Sequence, residues 1–153
     1  MILGIDPGRD KTGWALVEES GELVAAGIFA TSDAEAFLSA VAKNSLQALS
    51  SCTRETGAGA RDDLFTVDQC LVGDGTGSRP MIDLMRAVCP HVRSVREKGT
   101  TLRARELYWR LYPPKGVQRL IPKGLRVPPR SEMDDFAAWA IVLEFLEHGE
   151  LPE

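Results

Sequence analysis

The chain has 153 residues, of which 44% are hydrophobic and 26% charged, with a formal net charge of −4; that size and balance predict one soluble globular domain spanning residues 1–153. No apolar run approaches the ~18 residues that cross a membrane, and the chain opens on strand-like sequence without a leader pattern, so a cytoplasmic protein is expected. The three cysteines, Cys52, Cys70 and Cys89, lack C-x-x-C spacing and read as reduced thiols, which excludes a disulfide frame or a zinc site.

Taken in order, residues 2–5, 13–18 and 22–30 read as three strands. The first delivers Asp6 into a turn at Pro7 and Gly8. A carboxylate at the end of a strand can be aimed by the sheet at a ligand; the competing reading is that Asp6 only initiates the turn. Residues 33–50 read as a helix capped by Ser32, with Phe37, Leu38, Val41, Leu46 and Leu49 on its apolar side. Residues 53–63, rich in Gly, Arg and Asp, read as a mobile connection. A fourth strand at 65–72 ends in the apolar run Cys70, Leu71, Val72, the pattern of a strand buried on both faces. Gly73 to Gly77 then turn into a helix at 79–88, followed by a fifth strand at 91–95 and a helix at 100–111.

Residues 112–130 carry five prolines among Lys115, Arg119, Lys123, Arg126 and Arg130, which excludes a regular helix and predicts a stiff extended loop. Ser131 then caps a last helix running to about residue 147. The order predicts an α/β fold: a five-stranded mixed sheet, made of a three-strand meander plus two parallel strands, with helices on both faces.

Charge is segregated along the chain. Residues 91–130 carry +9 and the remainder −13, so an acidic protein can present a basic face to a polyanion. Against this stand acids where strands and helices end near one sheet edge: Asp6, Glu97 after the fifth strand, and Asp134 and Asp135 opening the last helix. Clustered carboxylates repel unless cations lie between them. An oxygen-only set selects Mg²⁺ or Mn²⁺, and two such ions can activate a water and stabilise the leaving oxygen of a phosphodiester. Each acid has a plainer role. Asp134 has capping-box spacing from Ser131, in which case Asp135, on nearly the same face, is the ligand. Glu97 can pair with Arg93, Arg96 or Lys98. Asp74, in Gly73-Asp74-Gly75, is either a turn residue or an additional ligand.

Three motifs in this order carry a resemblance. The run I-L-G-I-D-P-G-x-x-x-T-G (Ile2 to Gly13) closely resembles the opening of RuvC-type Holliday junction resolvases. Arg96-Glu97-Lys98-Gly99-Thr100-Thr101 resembles the Asp-Glu-Arg-x-Thr-Thr motif of the related YqgF family, and Met133 to Ala138 resembles that family's closing Asp-x-x-Ala-Ala helix. The stretches 73–78 and 102–130 are similar to a YqgF-like subgroup. The resemblance implies an RNase H-like fold and metal-dependent cleavage of nucleic acid, either branched DNA such as Holliday junctions or the small-subunit ribosomal RNA precursor. It matches Asp6, Glu97 and Asp134 to the catalytic acids, with Asp135 one position away. Arg96 and Lys98 depart from the motif, standing where the family has Asp and Arg.

On this reading Thr100, Thr101 and the start of their helix take a phosphate. Arg9, Lys11, Arg103, Arg105 and the loop cations Lys115, Arg119, Lys123, Arg126 and Arg130 track the backbone. Tyr108, Trp109 and Tyr112 stack on an unpaired base or, for Trp109 by its helical spacing, belong to the core. A junction resolvase calls for a homodimer and a trimming nuclease for a monomer. The alternative function is a nucleic-acid binding module of the same fold with its metal site weakened around Arg96. A sugar-kinase-type phosphotransferase is disfavoured by length, since such enzymes need two domains, and no G-x-x-x-x-G-K-[ST] loop is present.

Overall fold

In the computed structural model, which describes residues 1–97 and 99–149, the chain begins with a hairpin of β1 (Ile2–Asp6) and β2 (Lys11–Val17). Ile5 stands opposite Trp14 and Asp6 opposite Gly13. The connecting turn is braced from β3 (Leu23–Ala30): the Thr31 hydroxyl donates to the Gly8 carbonyl (2.8 Å) and shares a 2.9 Å hydrogen bond with the buried Thr12 hydroxyl. Asp6 is thereby set at the end of a strand whose neighbours cannot shift.

The strands β4 (Thr53–Thr56), β5 (Gln69–Gly73) and β6 (Val92–Val95) complete one open sheet of order β4-β3-β2-β1-β5-β6. The β1–β5 and β5–β6 pairs are parallel and the β1–β2, β2–β3 and β3–β4 pairs antiparallel. The meander and the two parallel strands are as expected, but the sheet has six strands, not five. The extra strand is β4, inside the stretch read as a mobile connection. Its inward residue is Glu55, so it lacks the apolar alternation by which strands are recognised. The rest of that connection is tied down by Asp63, which accepts hydrogen bonds from the Ser45 hydroxyl (2.6 Å) and the Gln47 amide (2.9 Å).

Helices α1 (Ala34–Ala42) and α2 (Ser78–Met85) cover one face, and α3 (Thr100–Leu111) and α4 (Asp134–His148) the other. On the first face Phe37, Val41, Met81 and Met85 pack on Leu3, Ile5 and Trp14; on the second Leu107, Phe136, Ile141 and Val142 pack on Ala15, Val17 and Leu71. The first helix is half the expected length. Asn44 adopts a left-handed conformation (φ 53) that stops it, and residues Gln47–Cys52 form a separate 3-10 turn. The last helix starts at Asp134 with Met133 at its cap and no side-chain capping bond, so Ser131 does not cap it. The loop at 112–130 is irregular as expected, with two short 3-10 turns, Gly116–Leu120 and Lys123–Leu125.

Two glycines set the height of α4 above the sheet. A Cβ at Gly13 would stand 2.0 Å from the Asp134 carbonyl oxygen, and one at Gly4 2.4 Å from that of Ala138. The bare backbone of β1 and β2 lets the first turn of α4 settle on the strand ends and brings Asp134 beside Asp6. Among the described residues no helix is long and apolar enough to cross a membrane.

Candidate metal centre

Three carboxylates from distant parts of the chain meet at the end of β1. Asp6 is the last residue of that strand, Asp134 the first of α4, and Glu97 lies two residues beyond β6. Glu97 is held through its backbone. Its N–H donates to Asp74 Oδ1 (3.1 Å), and its carbonyl accepts from the Thr100 amide (3.1 Å) and hydroxyl (2.8 Å) at the start of α3. Its carboxylate lies back over the end of β5, where a Cβ at Gly73 would be 2.1 Å from Oε1. A side chain at position 73 would occupy the place of the glutamate.

The electrostatics record the crowding. The Asp6 carboxyl is pushed from its ordinary value of 3.8 up to about 7, first by burial, then by the charges of Glu97 and Asp134 and by a hydrogen bond to Glu97. Asp134 is raised as well, by burial and by Asp135 and Glu132, with Lys11 opposing. When Asp6 is ionised, both facing groups are acceptors, and Glu97 Oε1 is buried with no hydrogen-bond partner. Such a cluster is relieved by a proton or by a cation.

Asp6, Glu97 and Asp134 could hold hard divalent cations, since the donor set is oxygen only. The three are not a tight knot. Among the described residues only Glu144, Glu147 and His148 bring three ligand atoms within 4.8 Å of one another. There Arg103 already bridges both glutamates, at 3.1 Å to Glu144 and 2.7 Å to Glu147.

Of the remaining predicted acids, Asp135 is placed elsewhere and Asp74 stands behind Glu97. Asp135 does not share the face of Asp134: it is fully buried, with Oδ2 2.9 Å from the Arg130 guanidinium and Oδ1 accepting from the Phe136 amide at 2.9 Å. One helical residue turns the side chain by about 100°, which carries Asp135 away from Asp6. Asp74 is exposed and spends one oxygen on the Glu97 amide, so it positions Glu97.

The predicted nucleic-acid contacts divide in the same way. Arg9, Thr101, Arg105, Lys115 and Lys123 are exposed. Lys11 is paired with Glu132, which also binds Arg54 at 2.8 Å. Arg103 is held by the α4 glutamates, Thr100 is buried in its turn, and Arg130 lies between Asp135 and Glu55 (3.0 Å) with its guanidinium over the Phe136 ring. Arg119 donates to the Pro114 carbonyl and Arg126 to the carbonyls of Gln118, Arg119 and Ile121, so both shape the loop. Arg96 is exposed and makes no ion pair among the described residues; Lys98 lies outside them.

Sequence reasoning missed Glu55 and Glu132. Glu55 accepts from the Tyr112 hydroxyl and from Arg130, the two ends of the proline-rich loop, and its bond helps push Tyr112 up to about 12. Neither acid carries a local sequence signal, because the partners Tyr112 and Arg130 of Glu55 and the partners Lys11 and Arg54 of Glu132 are mostly far along the chain. No family model matches the chain, and no curated protein matches it significantly.

Proposed function

We propose that this protein is a divalent-metal-dependent nuclease with an RNase H-like fold, hydrolysing phosphodiester bonds in structured nucleic acid: branched DNA or a ribosomal RNA precursor. The observation that carries the reading is Asp6 flanked by Glu97 and Asp134, with one Glu97 carboxylate oxygen buried and left without a donor when Asp6 is ionised. The meander followed by two parallel strands, with the acids at the end of the first strand, is consistent with the fold. The reading is of two divalent ions, which the three acids would hold between them.

Asp6, Glu97 and Asp134 would be the ligands. When bound, Mg²⁺ or Mn²⁺ supplies a water activated for attack and charge to offset the leaving oxygen. The protein's own residues do the rest. Asp74 and Thr100 fix the Glu97 backbone. The start of α3 offers backbone N–H groups and the exposed Thr101 hydroxyl to a phosphate. Arg9, Arg105, Lys115 and Lys123 are available to the phosphate backbone, which gives affinity without sequence preference.

The test is cleavage of a labelled four-way DNA junction and a structured ribosomal RNA precursor with Mg²⁺ or Mn²⁺, comparing wild type, Asp6→Asn and Arg96→Asp. Metal-dependent cutting lost in Asp6→Asn supports the nuclease, and the substrate cut selects DNA or RNA. Binding without cutting, with activity gained in Arg96→Asp, would replace it by the weakened binding module.

A further inference from the structure

On the outer side of α3, away from the acidic centre, the helix and the proline-rich loop enclose a cavity of about 530 Å³. Trp109 forms part of its wall, Arg105 and Arg110 flank it on the helix, and Lys123 and Arg126 close it from the loop; Glu106 is the one acid in the lining. Arg105 and Lys123 have no ion-pair partner among the described residues. Arg126 is tied to loop carbonyls, which keeps the loop wall in shape.

Trp109 is half-buried. It packs edge-on against Tyr108 with ring centroids 5.1 Å apart, and its indole N–H is buried without an acceptor. The cavity therefore combines the Trp109 ring with three cations, Arg105, Arg110 and Lys123, that have no ion-pair partner among the described residues. A ligand answering both is flat and anionic.

The geometry points to a single unpaired nucleotide of the substrate as the occupant, with its base against Trp109 and its phosphate toward Arg105 and Lys123. The assignment of the ligand as nucleic acid rests on the nuclease reading; the cavity itself does not depend on the acidic trio. Its volume falls within the ~300–1,000 Å³ usual for small-ligand sites. A volume of this size suits a single nucleotide, whose base enters it out of its stack. Trp109 stands nine residues beyond Thr100 on α3, about 14 Å along the axis at 1.5 Å per residue. The site thus selects substrates with an unpaired nucleotide near the cut and disfavours uninterrupted duplex.

The test uses the intact protein in EDTA, so that binding is read without cleavage. Trp14 is 0% and Trp139 4% exposed, which leaves Trp109 as the indole a ligand can quench. The probes are a ten-nucleotide oligo-dT, a ten-nucleotide oligo-U, a blunt duplex of equal length and a ten-residue poly-glutamate peptide. The single strands are expected to quench the emission and to bind at least tenfold more tightly than the duplex. Trp109→Leu should lose the quench and the preference. The double variant Arg105→Glu with Lys123→Glu, whose positions are exposed, should lose at least tenfold in single-strand affinity with an unchanged circular dichroism spectrum. Equal binding of duplex and single strand, or poly-glutamate binding as tightly as the oligonucleotides, would overturn the proposal, as would unchanged affinity in the exposed double variant. Single-strand preference without metal-dependent cutting would retain the cavity and remove the nuclease. Cutting without that preference would do the reverse.

Discussion

Asp134 and Asp135 are adjacent in the chain and point about 100° apart on one helix turn: Asp134 adds its charge to Asp6, whereas Asp135 is sealed against Arg130 at 2.9 Å. The same residue type is thus held in one position where its charge is in excess and in the next where it is neutralised. Replacing the two has opposite consequences. Asp134→Asn should leave the melting temperature unchanged or raised and should lower metal-dependent cleavage by more than the roughly 10–100-fold that loss of an outer partner costs. Asp135→Ala leaves Arg130 with Glu55 alone and the Phe136 amide without its acceptor, and should cost about 3 kcal/mol in stability. Denaturant melts beside cleavage assays separate the two; a destabilised Asp134→Asn or a neutral Asp135→Ala would contradict the assignment.

The metal-free protein should become less stable as pH rises. The folded state holds the Asp6 proton up to about 7, against an ordinary value of 3.8. The stability this proton carries is fully present below the lower value and is lost as pH climbs through the upper one. Asp134 shifts in the same direction and adds to the trend. In EDTA, Asp6→Asn should therefore exceed wild type by roughly 1–3 kcal/mol at pH 8 and match it near pH 4. Thermal melts across that range check it, and added Mn²⁺ should stabilise wild type at pH 8 much more than the variant.

Gly73→Ala separates fold from site. The new methyl would meet the Glu97 carboxylate at 2.1 Å, so the glutamate must swing away while the strand stays. Stability should change by less than about 1 kcal/mol, and cleavage or Mn²⁺ affinity should fall about 10–100-fold, as when a ligand's support is removed. Calorimetric Mn²⁺ titration and a melt of the same sample decide it.

Glu55 clips both ends of the proline-rich loop, through Tyr112 and Arg130. Glu55→Ala removes both bonds and should destabilise the protein by about 2–4 kcal/mol. The released loop, with Lys115, Arg119, Lys123 and Arg126 exposed or half-exposed, should then be cut by trypsin many times faster than in wild type. Equal digestion rates would show that the loop is held by other contacts.

What the sequence revealed follows from which signals are local. The first hairpin, α3 and the irregular loop were legible because apolar runs, turn residues and prolines act within a few positions. Asp6 and Glu97 could be singled out because they end strands. The choice between Asp134 and Asp135 could not be made, since it depends on how far α4 settles over Gly4 and Gly13. Likewise β4 escaped notice because its inward residue is a glutamate whose partners, Tyr112 and Arg130, lie more than fifty positions away. The capping role given to Ser131 failed because the chain enters α4 from Met133.

The placement of Asp134 on the last described helix has a consequence for synthesis. A ribosome makes Asp6 in the first strand, Glu97 much later and Asp134 later still, so a nascent chain carries at most two of the three acids until residue 134 is added. The third reaches its place only when α4 packs against β1 and β2. That step presses a further negative charge against Asp6, whose carboxyl is pushed up by burial and by the charge of Glu97, and it is drawn to completion by proton or cation uptake. A chain that has not yet made α4 therefore has no assembled centre.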